Sequence, residues 1–317
     1  MNPIGTARYA PVDQTILHWA DHGHGRPVVL IHGLADSHRT WRHLVPNLSE
    51  DRYRLLLPDL PGHGLSSRPT AGYSLDWHAA ILGQWVDSLG IDTFDVVGHS
   101  FGGGVAQALL LTHADRIQRV ALVAPGGLGR EVAWGVRLLT LPGAAAVTQP
   151  FLGIGTRISM RITDPKTFIA SERNELAWMN TRPGTARALA LTARGIANLR
   201  GQRRHFLDQA GTLSRIPPIA LYWGSRDPII PVKHGATTQR ILCGSRLTVF
   251  RGCGHFPHLQ MPDEFSDALS MFLADATLRP TRIVVPRALP PRKPWWKRFA
   301  GAIARLARCA VPGRRAA

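Results

Sequence analysis

Cysteine is scarce: three residues, at positions 243, 253 and 309, offer neither a disulfide framework nor a C-x-x-C metal pair. No run of about 18 uninterrupted apolar residues occurs, so no membrane-spanning helix is expected. Met1 to Ala20 lacks a basic stretch followed by an apolar one. No secretory signal is expected there, and a reducing, cytoplasmic compartment is the default. Acidic residues stop at Asp275. Eleven of the 38 basic residues lie beyond it, which leaves 27 against 21 acidic groups, or +6, before it. The net charge of +17 therefore belongs largely to the tail, and any membrane or nucleic-acid argument must concern that tail. With 317 residues, 44% of them apolar, the chain can bury a large core. It is no miniprotein, collagen or disordered chain.

Short apolar runs alternate with helical patterns. Gln14 to Trp19 alternates like an edge strand, and Pro27 to Ile31, Arg54 to Leu57 and Phe94 to Val97 read as buried parallel strands. Gly102 to His113 reads as a helix, followed by strands at Arg119 to Ala124, Ile219 to Trp223 and Leu247 to Phe250, and by a helix at Asp263 to Ala274. This order predicts an α/β fold with a mostly parallel sheet flanked by helices. Residues 126–215 break the alternation with helical stretches, notably Thr185 to Gln209, and no convincing strand. We expect an inserted helical lid there, over the carboxyl edge of the sheet. The division expected is thus a core at 1–125 and 216–277, a lid at 126–215, a Pro/Arg-rich linker at 278–294 and a basic tail at 295–317.

Gly98-His99-Ser100-Phe101-Gly102 places a serine on a tight turn directly after a strand and before a helix. Glycines two residues either side leave room for that turn, which exposes the hydroxyl beside the helix's first N–H groups. His32-Gly33-Leu34 follows another strand at the place where a second oxyanion donor is needed. The amides of Leu34 and Phe101 would be the two donors. Asp227, in Gly224-Ser225-Arg226-Asp227-Pro228, and His255, in Gly252-Cys253-Gly254-His255, each follow a strand of the same sheet. The chain order is Ser, Asp, His.

With H-G-L-A-D-S, D-L-P-G-H-G-L-S at Asp59 to Ser66, G-H-S-F-G-G, G-S-R-D-P-I-I-P and G-C-G-H-F-P, the chain resembles the α/β-hydrolase fold superfamily from Gln14 to Ala274. The resemblance implies Ser100 as nucleophile, His255 as base and Asp227 as the acid that orients it. No cofactor is expected, and nothing in the sequence suggests a metal. A serine at 100 argues against the branches with an aspartate nucleophile, the epoxide hydrolases and haloalkane dehalogenases. Ester hydrolysis through an acyl-enzyme is the expected reaction, on a small-molecule ester, with lipophilic acyl esters and thioesters included. Pro125 to Gly129, W-G-S-R-D-P-I-I-P-V-K-H-G and C-G-H also look like the meta-cleavage-product C–C hydrolases. Leu34-Ala35-Asp36, His99 and Phe256 depart from that group's pattern. A non-catalytic hydrolase-fold binding protein is the third reading.

Other residues have blander expectations. Glu131 is the nearest carboxylate to the place after Ala124 where some members of the superfamily put the acid. His32, His63, His99 and His258 are expected to be structural, and Cys253 to be packing. Trp134, Leu138, Leu139, Leu141, Phe151, Ile154, Trp178 and Met179 could line an acyl tunnel or form the lid's own core. Arg187, Arg194, Arg200, Arg203 and Arg204 could include a cation that faces a substrate, or form a solvated face. In the tail, Trp295, Trp296, Phe299, Ile303, Leu306 and Ala310 fall on one side of a helix, with Lys297, Arg298, Arg305 and Arg308 opposite. Trp295 to Ala310 suits an anionic membrane surface; packing of its apolar face on the body or a partner, and nonspecific nucleic-acid binding through charge, are the other readings, and no specific nucleic acid is expected. A peripheral position on the inner face of the membrane would follow.

Overall fold

The computed structural model describes residues 4–163, 168–203 and 205–284. One compact unit spans Met1–Ile283, and a second, Val284–Ala317, lies outside the described residues apart from its first. The expected tail helix at 295–310 and most of the linker fall there.

Eight strands form the main sheet: β1 (Thr6–Val12), β2 (Thr15–His22), β3 (Arg26–Ile31), β4 (Tyr53–Pro58), β5 (Phe94–His99), β6 (Ile117–Val123), β7 (Ile219–Gly224) and β8 (Arg246–Phe250), in the order β1-β2-β4-β3-β5-β6-β7-β8. The first two pairings are antiparallel and all the others parallel. Both faces are covered. In β3, Val29 and Ile31 join the core beneath α1 (Leu75–Ser88) and α2 (Phe101–His113), while Val28 and Leu30 join Trp41, Phe265 and Leu269 on the opposite face. A strand buried on both faces reads as a continuous apolar run, which is why β3 to β7 are legible in sequence.

Three elements depart from the expectation. The edge strand is β1, not Gln14 to Trp19, which belongs to the inner strand β2. The side chains of β1 are mostly exposed and offer no alternation to read. Helix α1 was not expected, although Leu75, Ala79, Leu82 and Val86 recur at helical spacing. Its N-terminus is capped by Ser74, whose hydroxyl accepts the Trp77 N–H at 3.1 Å. Between β6 and β7 the chain is helical at α3 (Leu152–Thr163), α4 (Ala170–Thr181) and α5 (Thr185–Ile196), with shorter turns. The helix expected to reach Gln209 stops at Ile196. It gives way to a two-residue hairpin, Ala197–Asn198 against Gly201–Gln202. Gln202 donates its N–H to Arg130 O and accepts from Gly127 N, so the loop after β6 captures this hairpin. Of the expected linker, Arg282–Ile283 pairs with Leu242–Cys243. Two helices complete the body, α6 (Lys233–Ile241) and α7 (Pro262–Ala274).

Asp59 organises the loop after β4. Fully buried, its carboxylate accepts from His18 Nδ1 at 2.8 Å, His38 Nδ1 at 2.9 Å, His38 N at 2.6 Å and Leu65 N at 2.8 Å. The ligand atoms of His18, His38 and Asp59 lie within 4.8 Å of one another, a composition that could hold a metal ion, but the two imidazoles spend their Nδ1 atoms on the carboxylate. Burial pushes the Asp59 carboxyl up, yet His38 and His18 hold it well below the ordinary carboxylate range. A depressed folded-state pKa contributes stability above the unfolded value and loses it as pH falls. Asp59→Asn should therefore cost about 3 kcal/mol at neutral pH. The gap to wild type should close below about pH 4 in urea unfolding followed across pH. A gap that stays constant with pH would contradict this account.

Candidate active site

The turn from β5 to α2 is a strained strand-to-helix elbow. Ser100 holds φ 53° and ψ −114°, a left-handed backbone unusual for a residue with a side chain. Its N–H donates to Val123 O of β6, and its carbonyl accepts from Gly103, Gly104 and Gly126. A Cβ on Gly102 would lie 2.4 Å from the carbonyls of Ile31 and His32, so only glycine lets α2 approach β3 this closely.

Asp227 stands just beyond β7. Its Oδ1 accepts from Ile229 N at 2.8 Å and Ile230 N at 3.0 Å, and its Oδ2 receives His255 Nδ1 at 2.8 Å. Both side chains are almost wholly buried. The two loops are laced together. Arg226 N donates to Cys253 O, Ser225 N to Phe250 O and Gly252 N to Ser225 Oγ. Gly224 is obligatory at the crossing, since a Cβ there would sit 1.9 Å from Gly254 O. With Nδ1 held by the carboxylate, His255 presents Nε2 to the cavity that it shares with Ser100. Glu131 is not an alternative acid. It pairs with Lys233 and His234, and those bonds hold its carboxyl down to about 2.

The four histidines expected to be structural are buried among hydrogen-bond partners. His32 donates from Nδ1 to Gly33 O and accepts Leu60 N at Nε2, which ties the ends of β3 and β4. His99 donates from Nε2 to His255 O at 3.0 Å, so the residue before the serine holds the backbone of His255. His258 shares a hydrogen with Thr40 Oγ1, and His63 with Pro61 O. Burial keeps His63, His99 and His258 well below the ordinary histidine range.

Leu34 lines the cavity at Ser100, and Phe101 follows Ser100 as the first residue of α2. Among the described residues, neither backbone N–H has a hydrogen-bond acceptor, so both donors are open. The loop that carries Leu34 is held from the helical segment. Ala35 takes φ 58°, and its carbonyl accepts Asn180 Nδ2 at 2.9 Å. The same amide nitrogen donates to Thr156 Oγ1 at 3.2 Å. Asn180 is fully buried, and sequence reasoning missed it because nothing local marks a contact that spans 145 residues.

The cavity at Ser100 and His255 measures about 160 Å³ and runs into a second of about 380 Å³. The two share Leu34, Asp36, Ser159, Met160, Phe168 and Phe256. Their lining is largely apolar, and among the described residues it includes no lysine or arginine. Of the apolar residues singled out between β6 and β7, Leu139 lines the cavity and Met179 is buried. Trp134, Leu138, Leu141, Phe151, Ile154 and Trp178 are instead exposed, neither tunnel wall nor core. Arg187, Arg194 and Arg203 bond backbone carbonyls and Arg200 is exposed. None of these four lines the cavity, and Arg204 lies outside the described residues.

An elbow serine at the carboxyl edge of such a sheet, beside an Asp–His pair, defines the α/β-hydrolase class. The chain belongs to that family: the alpha/beta hydrolase fold matches residues 26–153. It is 31% identical over 261 residues to an uncharacterized protein of Mycobacterium tuberculosis strain H37Rv, covering 79% of this chain and 76% of that one. A 2-hydroxymuconate semialdehyde hydrolase of Pseudomonas putida is 30% identical over 288 residues, covering 86% and 95%. Among solved structures, bromoperoxidase from Bacillus anthracis superposes with a TM-score of 0.72 at 24% identity, covering 85% of this chain and 100% of that one. The family makes this protein a hydrolase.

Replacing Asn180 by leucine keeps the volume but removes both donated bonds. We expect a loss of about 2 kcal/mol and faster amide exchange across residues 34–37. Hydrogen exchange read by mass spectrometry measures the second effect. Unchanged exchange there would show that the loop is held by other contacts.

Proposed function

We propose that this protein is a serine hydrolase of carboxylic esters with a neutral, apolar acyl group. The observation that carries this reading is the Asp227–His255 hydrogen bond at 2.8 Å, with His255 and Ser100 lining one apolar cavity. In this reading His255 Nε2 takes the Ser100 proton as Oγ attacks the ester carbonyl, and Asp227 stabilises the imidazolium that results. The amides of Leu34 and Phe101 meet the tetrahedral oxyanion, an interaction worth about 3 kcal/mol per donor in comparable sites. His255 returns the proton to the leaving alcohol, and water repeats the sequence on the acyl-enzyme. The larger cavity would take the acyl chain.

A second reading, C–C bond hydrolysis, is supported by the 30% identity to the Pseudomonas putida hydrolase. Against it stands the cavity wall. A substrate that carries a carboxylate would meet the buried carboxyl of Asp36, with no lysine or arginine lining the cavity among the described residues. Burial raises the Asp36 pKa above the usual value, opposed chiefly by His32. The carboxyl therefore neutralises at a higher pH than an exposed one. Discrimination against an anionic acyl group should weaken as pH falls toward that raised value, and Asp36→Asn should remove the pH dependence of the ratio.

A rate series on aryl esters of increasing acyl length tests the main reading. Ser100→Ala should lower kcat/KM by about 10⁵-fold, and Asp227→Asn should lower kcat by about 10⁴-fold. Turnover of 2-hydroxymuconate semialdehyde without turnover of any ester would transfer the assignment to C–C hydrolysis. Absence of both, with Ser100 unlabelled by a serine-directed phosphonate, would leave a binding protein.

A further inference from the structure

Several large apolar residues between β6 and β7 are exposed on helical elements. From Ala144 to Thr163 the chain runs helically through Ala144–Thr148, the 3-10 turn Gln149–Phe151 and α3. Val147, Phe151, Ile154 and Ile158 follow at spacings of four, three and four, which puts them on one face. Their exposures are 68, 62, 55 and 51%. The opposite face of the same helix, with Leu152, Thr156 and Met160, lines the larger cavity. The same helical run thus carries apolar residues both at the cavity and on its solvent-exposed side. Two tryptophans of the same segment, Trp134 and Trp178, are also exposed, at 65 and 58%.

Charge indicates what could cover this face. Residues 126–215 carry 13 basic and 5 acidic groups, a net +8, so the rest of the first 275 residues nets −2. Arg157 and Arg161 lie beside the stripe on α3 and are exposed. A second copy packed face to face would oppose +8 with +8. An anionic lipid surface satisfies both halves of the pattern. Its headgroups attract the arginines, and its interface accepts tryptophan, phenylalanine and isoleucine to a shallow depth.

We propose that the outer face of the helical run 144–163 docks on an anionic phospholipid surface and brings the cavity wall to the lipid boundary. This does not depend on which bond the enzyme cleaves, nor on the membrane affinity expected of Trp295 to Ala310. The test is flotation of the full chain with phosphatidylcholine vesicles, alone or mixed with phosphatidylglycerol. The protein should float with the mixed vesicles, and the triple variant F151S/I154S/I158S should lower that partitioning at least about tenfold with its thermal midpoint unchanged. As a second arm, an environment-sensitive dye on Val147→Cys in a Cys243→Ser/Cys309→Ser background should shift to the blue with the mixed vesicles. An unshifted dye, no flotation, or equal binding to neutral vesicles would overturn the proposal. Undiminished flotation of the triple variant would assign membrane binding to the tail. A vesicle-free dimer that the triple variant dissociates would assign the face to a second copy.

Discussion

The contact between Gly102 and the end of β3 is the constraint on which the site depends. Two backbones meet there at a separation that no Cβ permits. The close approach forces the chain from β5 into α2 through the left-handed conformation at Ser100. The Gly224–Gly254 crossing brings together the loops of Asp227 and His255. Strain at the serine is sustained because the layers on either side of the sheet are densely buried. Val28 to Ile31 and Ala121 to Ala124 have no measurable exposure.

Polar groups at the carboxyl edge are arranged around neutral imidazoles. Buried without a carboxylate partner, His32, His63, His99 and His258 each bond a backbone or hydroxyl group. Desolvation keeps them uncharged there, because a buried imidazolium needs a counter-charge. His18, His38 and His255 differ in having an aspartate: the first two share Asp59, and His255 has Asp227. Of these three, His255 alone lines the cavity at Ser100 among the described residues.

The segment between β6 and β7 is bound to the body through part-buried polar contacts, among them three sets that reach the loops after β3 and β4. Asn180 reaches the Ala35 carbonyl, Arg42 pairs with Glu172, and Arg68 bonds Thr185 Oγ1 and Met179 O. These contacts fix the roof of the cavity relative to the open amides of Leu34 and Phe101. Its other side presents apolar surface to solvent, which a helix buried on one face alone would not require.

Sequence alone determined the parallel sheet and the position of Ser100, Asp227 and His255 at its carboxyl edge. Buried parallel strands are short apolar runs, and tight turns demand glycine at fixed offsets, so both signals are local. The tertiary structure decided the rest. Asn180 and the Asp59 network act through partners that are distant in the chain. Likewise, the pattern Trp134, Leu138, Phe151, Ile154 and Trp178 reads the same whether a helix faces a cavity, a core or water. Periodicity records that a helix has an apolar face. Which neighbour that face meets is settled only when the other layers are in place.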